Sequence, residues 1–107
     1  AAEGATYILP AKPEGPATED FAKKYAQKYG RAPELFAAEG YDVVKLVAKV
    51  LEDSPTLSSE ALKAGLYATR DYQGASGTIT FDENGDVIKP MAIKKVSRGH
   101  GVVISTQ

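Results

Sequence analysis

The spacing of the apolar residues changes once along this chain, near residue 70. Before that point they recur every three or four positions: Phe21, Tyr25 and Tyr29, then Val43, Leu46, Val47, Val50 and Leu51, then Leu62 and Leu66. That spacing puts side chains on one face of an α-helix. After it, Thr78-Ile79-Thr80-Phe81 alternates with a period of two, which is the signature of a half-buried strand. The chain is therefore read as α/β, with three helices followed by short antiparallel strands and hairpins.

The punctuation sharpens this order. Tyr7-Ile8-Leu9 is a short β-prone run, and Pro10, Pro13 and Pro16 then forbid regular pairing because proline has no N–H. The first helix is predicted to start at Thr18, whose hydroxyl can cap free N–H groups, with Glu19 and Asp20 at the positive end of the helix dipole. Gly30 ends it, since glycine takes the left-handed conformation cheaply. Arg31-Ala32-Pro33 connects to a second helix from about Glu34 to Asp53. Its many valines and leucines predict the most buried helix of the three. Gly40 inside it costs about 1 kcal/mol against alanine, which predicts a close backbone approach there. After Pro55, Leu57, Ser58 and Leu62 match a staple around a serine cap, and a third helix runs from Ser59 to about Thr69.

In the remainder, Asp82-Glu83-Asn84-Gly85-Asp86 reads as a turn, because Asn-Gly is a strong hairpin signal. Val87-Ile88 returns from it. Met91 to Val96 is a further strand, Ser97 to Gly101 a turn, and Val102-Val103-Ile104 the last strand. Strand, three helices and then strands is not the βαβ alternation of a complete parallel sheet. The helices have apolar faces with little sheet to cover, which predicts a portion of a larger fold or a chain completed by a partner. The opening Ala1-Ala2-Glu3-Gly4 is neither an initiator methionine nor a signal peptide, and reads as processed or cut from a longer chain.

Charge and composition narrow the function. Thirteen basic and fourteen acidic residues nearly cancel, so no basic surplus is available for a phosphate backbone and nucleic acid is excluded as a partner. Cysteine is absent, which removes disulfides and thiolate metal sites. The single histidine, His100, sits between two glycines with no second ligand. Asp82, Asn84 and Asp86 do not make a calcium loop, because the glycine precedes Asp86 and no glutamate follows at the twelfth position. No glycine pattern joins a strand to a helix as a phosphate loop does, and no serine has a histidine or a strained elbow beside it. No catalytic group, metal or cofactor is expected, and the chain is not read as an enzyme.

Two stretches carry a family resemblance. One is Tyr25-Ala26-Gln27-Lys28-Tyr29-Gly30-Arg31-Ala32-Pro33 with Phe36-Ala37-Ala38-Glu39-Gly40-Tyr41-Asp42-Val43-Val44. The other runs from Gly74-Ala75-Ser76-Gly77-Thr78-Ile79-Thr80-Phe81-Asp82 through Gly85-Asp86 to Lys89-Pro90. Together they resemble the closing third of the leucine/isoleucine/valine-binding family of periplasmic solute-binding proteins. The resemblance implies an incomplete portion of a type I periplasmic binding protein, whose two Rossmann-like lobes are joined by crossing strands and close on a ligand. Residues 1–10 would be one crossing, residues 11–88 the helices and hairpin of one lobe, and residues 89–107 strands of the other. It implies a place in the periplasm or outside the cell, a small ligand such as an amino acid or an aromatic or aliphatic carboxylate, and an ABC transporter permease as partner. The segments that supply most of the family's ligand contacts have no counterpart here.

On that resemblance, Phe36, Glu39 and Tyr41 are the candidate ligand-binding residues. Phe36 matches an aromatic that lines the cleft, with a core or capping role as the alternative. Glu39 would meet a cationic group or stand as a solvated helix charge. Tyr41 would face the cleft or pack in the core with its hydroxyl bonded. A second class of function competes with this one: a self-associating α/β interaction module that forms a homodimer through exposed strand edges or helix faces and binds no ligand of its own.

Overall fold

The computed structural model describes residues 2–107. In order, the elements are β1 (Thr6–Pro10), α1 (Pro16–Tyr29), α2 (Leu35–Asp53), α3 (Ser59–Tyr67), β2 (Tyr72–Gly74), β3 (Gly77–Ile79), β4 (Met91–Ser97) and β5 (His100–Thr106). The three helices and the short antiparallel strands come in the order that the spacing predicts. They form two compact units: a sheet unit that runs up to Lys12 and resumes at Lys89, and a helical unit, Pro13–Ile88. Among the described residues, no helix is long and apolar enough to cross a membrane.

The sheet unit has three antiparallel strands in the order β1-β4-β5. Ala92, at the centre, is 2% exposed and lies opposite Leu9 on one side and Thr106 on the other. The β4–β5 turn is tighter than the five residues predicted. Ser97 pairs with His100, and only Arg98 (φ 52°) and Gly99 (φ 77°) lie between them. Two consecutive left-handed residues define the primed turn whose twist matches the strands. The exposed Glu3 carboxylate accepts the Arg98 N–H at 3.1 Å and so helps to hold a non-glycine residue there. Further along, Ile93 pairs with Ser105 and Lys94 with Val103. Ile104 is thus the extra residue of a bulge on the edge strand.

In the helical unit, α1 begins two residues before Thr18. Pro16 occupies the first turn and Gly15 the cap, because proline's fixed φ and missing N–H suit that place. Thr18 is therefore not the cap, and its hydroxyl does other work described below. Gly30 closes the helix in the left-handed conformation (φ 68°), its N–H reaching the Ala26 carbonyl. Phe21 is buried, and the rings of Tyr25 and Tyr29 follow it up the helix at centroid separations of 5.7 and 4.6 Å.

The buried stripe of α2 is Ala38, Asp42, Leu46 and Val50, four residues apart. Phe21, Ala38 and Ala75 form one apolar cluster. Leu46, Val50 and Ile79 form a second, with Leu62, Leu66, Tyr72 and Phe81 packed around it. As expected, α2 is the most buried of the three helices, with four buried residues against one in α1 and none in α3, yet Val43 and Val44 are 62% and 69% exposed. Their stripe is offset from the buried one, and no element of the described chain covers it. Nor does Gly40 serve a close approach, for the space beside it is open. The close approach is at Gly65 of α3, where an added methyl would strike Val50. Ser58 caps α3 as predicted, accepting the Ala61 N–H at 3.1 Å. Leu57, at 83% exposure, does not complete a staple.

The hairpin of this unit is also displaced from the Asn-Gly signal. It is β2 paired with β3 around Ala75-Ser76, and β2 was not foreseen. Past Phe81 the pairing shrinks to a single bridge to Val87. The Asp82 carboxylate accepts the N–H groups of Asn84 (2.8 Å) and Asp86 (2.9 Å), so the 82–86 turn is held by a side chain more than by a ladder.

The two helical glycines should respond oppositely to alanine. Gly40→Ala is expected to raise stability by about 0.5–1 kcal/mol through helix propensity alone. Gly65→Ala is expected to lower it through the clash with Val50. Chemical denaturation of the two variants against the parent chain checks both signs.

Candidate ligand-facing surface on the second helix

Three connections fix α2 in place, and all converge on the loop between β2 and β3. Asp42, 3% exposed, turns its carboxylate into that loop. Its Oδ1 accepts the Ala75 N–H at 2.8 Å, and its Oδ2 accepts the Ser76 N–H at 2.7 Å and the Ser76 hydroxyl at 2.6 Å. A buried carboxylate is tolerable only when donors replace its water, and here three do. The fit demands glycine at position 74, because a Cβ there would come 2.8 Å from the Asp42 carboxyl carbon. From the other side of the loop, Thr18 of α1 donates its hydroxyl to the Ala75 carbonyl at 2.9 Å.

On this anchored helix the three candidate residues do not form one cluster. Phe36 is the second residue of α2 and its ring is 71% exposed. Glu39 is half-buried and follows by three positions, so at 100° per residue it stands beside Phe36. Tyr41 is turned about 140° from Phe36 by the same geometry and stacks against Phe21 with centroids 4.9 Å apart and planes tilted 41°. Still 42% exposed, it serves packing at least on one face. Phe36 is continued along the helix by Gly40, Val43, Val44 and Val47, an apolar stripe on the side away from the hairpin.

What this surface offers is an exposed aromatic ring with a carboxylate next to it and an apolar continuation. It offers contact and shape, with no nucleophile and base placed together. Among the described residues, no group of three or more histidine, aspartate or glutamate side chains is arranged to hold a metal. His100 belongs to the sheet unit, at the start of β5.

Asp42 escaped the sequence reading. Its signal was an acid in the middle of the four-residue stripe Ala38, Asp42, Leu46, Val50, where an apolar residue belongs. Tyr72, on the same hairpin, was missed as well. Burial, and next the nearby Asp42 charge, raise its phenol above the ordinary 10.0.

A family model described as periplasmic binding protein matches residues 1–101. Among solved structures, the chain is similar to the leucine binding protein LivK of Thermotoga maritima, with 30% identity and a TM-score of 0.80 over 98% of this chain and 31% of that one. It is similar to an ABC transporter substrate-binding protein of Desulfitobacterium hafniense in complex with Leu, with 34% identity and a TM-score of 0.77, over 96% and 32% of the two chains. LivJ of Streptococcus pneumoniae, in complex with isoleucine, follows at 26% identity and a TM-score of 0.71, over 95% and 29%. The chain spans about a third of the length of these proteins. No curated protein sequence matches it.

Removing the Asp42 carboxylate leaves three donors unsatisfied in the interior. Asp42→Ala is expected to cost about 3–5 kcal/mol, and Asp42→Asn to recover only part of it, since one oxygen becomes a donor facing donors. Urea denaturation of both variants checks this. At alkaline pH the unfolded chain gives up the Tyr72 proton before the folded chain does, so stability is expected to fall as pH rises through and above 10. Tyr72→Phe should flatten that slope in melts across the range.

Proposed function

Since the chain belongs to the periplasmic binding protein family, we propose that it forms part of the substrate-binding component of an ABC transporter for an amino acid or a related small carboxylate. Its relatives are substrate-binding proteins, not enzymes. In this reading residues 1–10 are a strand crossing between two lobes, residues 11–88 belong to one lobe and residues 89–107 to the other. The division of the chain into compact units at Lys12/Pro13 and Ile88/Lys89 supports it. The ligand is taken by closure of the lobes, in the periplasm or outside the cell, and the loaded protein delivers it to a membrane permease.

The observation that carries the assignment of the site is Phe36. A phenylalanine ring 71% exposed in the first turn of a helix forgoes about 1.5–3 kcal/mol of burial, yet that helix is among the most firmly anchored elements of the unit. An aromatic wall suits the side chain of a branched aliphatic amino acid, and the Desulfitobacterium and Streptococcus proteins are complexes with leucine and isoleucine. In this reading Glu39, three positions after Phe36, meets the cationic end of a ligand. Tyr41 contributes by holding α1 against α2 and presents the rest of its ring to the same side of the unit as α1.

The test is a chimera in which these 107 residues replace their counterpart in the Thermotoga protein, titrated with leucine, isoleucine, valine, phenylalanine and benzoate. Binding of one ligand class is expected, with Phe36→Ala weakening it tenfold or more, equivalent to about 1.4 kcal/mol, and Glu39→Gln weakening cationic ligands most. A Phe36→Ala chimera that binds as tightly as its parent would remove Phe36 from the site.

A further inference from the structure

Asn84 is the chain's only asparagine, and a glycine follows it. Such a pair is reactive: the glycine nitrogen can attack the asparagine side-chain amide, because glycine has no side chain to crowd the approach. The structure fixes the glycine in place. Gly85 has a φ of 86°, in the left-handed region, and a Cβ there would come 2.8 Å from the Tyr67 hydroxyl. The reactive pair is thus built into the 82–86 turn.

The same turn restrains it. A single oxygen, Oδ1 of Asp82, accepts the N–H groups of Asn84 and Asp86 at 2.8 and 2.9 Å, one on each side of the reacting nitrogen. The Gly85 N–H itself donates to the Asp82 carbonyl at 3.2 Å, at the long end of the range for such bonds. The Tyr67 hydroxyl donates to the Asn84 carbonyl at 3.4 Å. Attack requires the Asn84–Gly85 peptide to rotate until its nitrogen faces the Asn84 side chain. The two short bonds to Oδ1 oppose that rotation far more than the two long ones.

We propose that Asn84-Gly85 is a site of self-modification whose rate the Asp82 side chain sets by restraining the turn. The reaction joins two neighbouring residues, so it needs no uncovered face, and it is independent of the ligand reading above. The Gly85 nitrogen gives up its proton to hydroxide and bonds to Cγ of Asn84. The Cγ–Nδ2 bond breaks, and that nitrogen leaves as ammonia. Water then opens the cyclic imide. Addition at Cγ gives aspartate in an unchanged backbone. Addition at the backbone carbonyl carbon gives isoaspartate, whose chain runs through the side-chain carbon and is longer by one atom. Either product sets a further carboxylate among Asp82, Glu83 and Asp86, where like charges repel. Isoaspartate also shifts the backbone that Tyr67 contacts.

Peptide mapping by mass spectrometry tests this on the whole chain, kept for weeks in warm, mildly alkaline buffer, folded or unfolded in urea. The folded chain is expected to convert Asn84 to aspartate and isoaspartate, several-fold more slowly than the unfolded one. Asp82→Ala should react several-fold faster than the parent, with a circular dichroism spectrum and a melt that show it folded. Asp82→Asn should stay near the parent's rate, because its amide oxygen can accept the same two N–H groups without the charge. An Asn84 that stays intact in the folded chain while the unfolded chain converts overturns the site. A folded parent that reacts as fast as the unfolded chain overturns the restraint, a result that does not depend on any variant folding. So does a folded Asp82→Ala no faster than the parent. An Asp82→Asn chain as fast as Asp82→Ala assigns the effect to charge and overturns it too.

Discussion

A single carboxylate, that of Asp42, organises the helical unit. Two backbone N–H groups and a hydroxyl from residues more than thirty positions away end on its two oxygens. Much else follows from satisfying that charge. The loop after β2 must offer successive donors, so it turns sharply. Gly74 must lack a side chain, so the carboxylate can approach. Thr18 then occupies the remaining carbonyl of Ala75, which brings α1 over the same point and buries Phe21 against Ala38 and Ala75. The apolar clusters on either side of Asp42 supply the bulk of the burial, but the carboxylate decides which elements meet.

How much of this was legible depended on whether the cause was local. The four-residue spacing of Phe21, Tyr25 and Tyr29, the stop at Gly30 and the Ser58 cap are local, and each appears where the sequence places it. The start of α1 was displaced because Thr18 has two uses for its hydroxyl and the distant Ala75 carbonyl wins. The small hairpin was placed too late because Asn84-Gly85 is the stronger turn signal in isolation, while Gly74 to Gly77 turns under the control of a residue on another element. In the sheet unit, a turn of five residues from Ser97 to Gly101 was expected, yet Arg98 and Gly99 alone make it.

The candidate site was legible to a similar degree. Phe36 stands out in the sequence through its surroundings and in the structure through its exposure. Glu39 falls beside it. Tyr41 lies about 140° around the helix from Phe36, which the spacing within α2 already implies; that it packs against Phe21 depends on how α1 crosses α2. Asp42 was given no role from the sequence. What marks it is position: at the centre of the buried stripe, an acid has to have been given partners.

The hairpin that Asp42 holds has strands of only three residues, too short to select their own alignment. In a longer hairpin, a slip by one residue is resisted by the side chains that it would carry to the wrong face. Here a slip would instead present the carboxylate with a carbonyl or with the Cβ of Ala75. Asp42 therefore acts as a key that accepts one alignment of the two strands and rejects its neighbours. Because the key lies far away in sequence, the alignment is chosen only when α2 arrives.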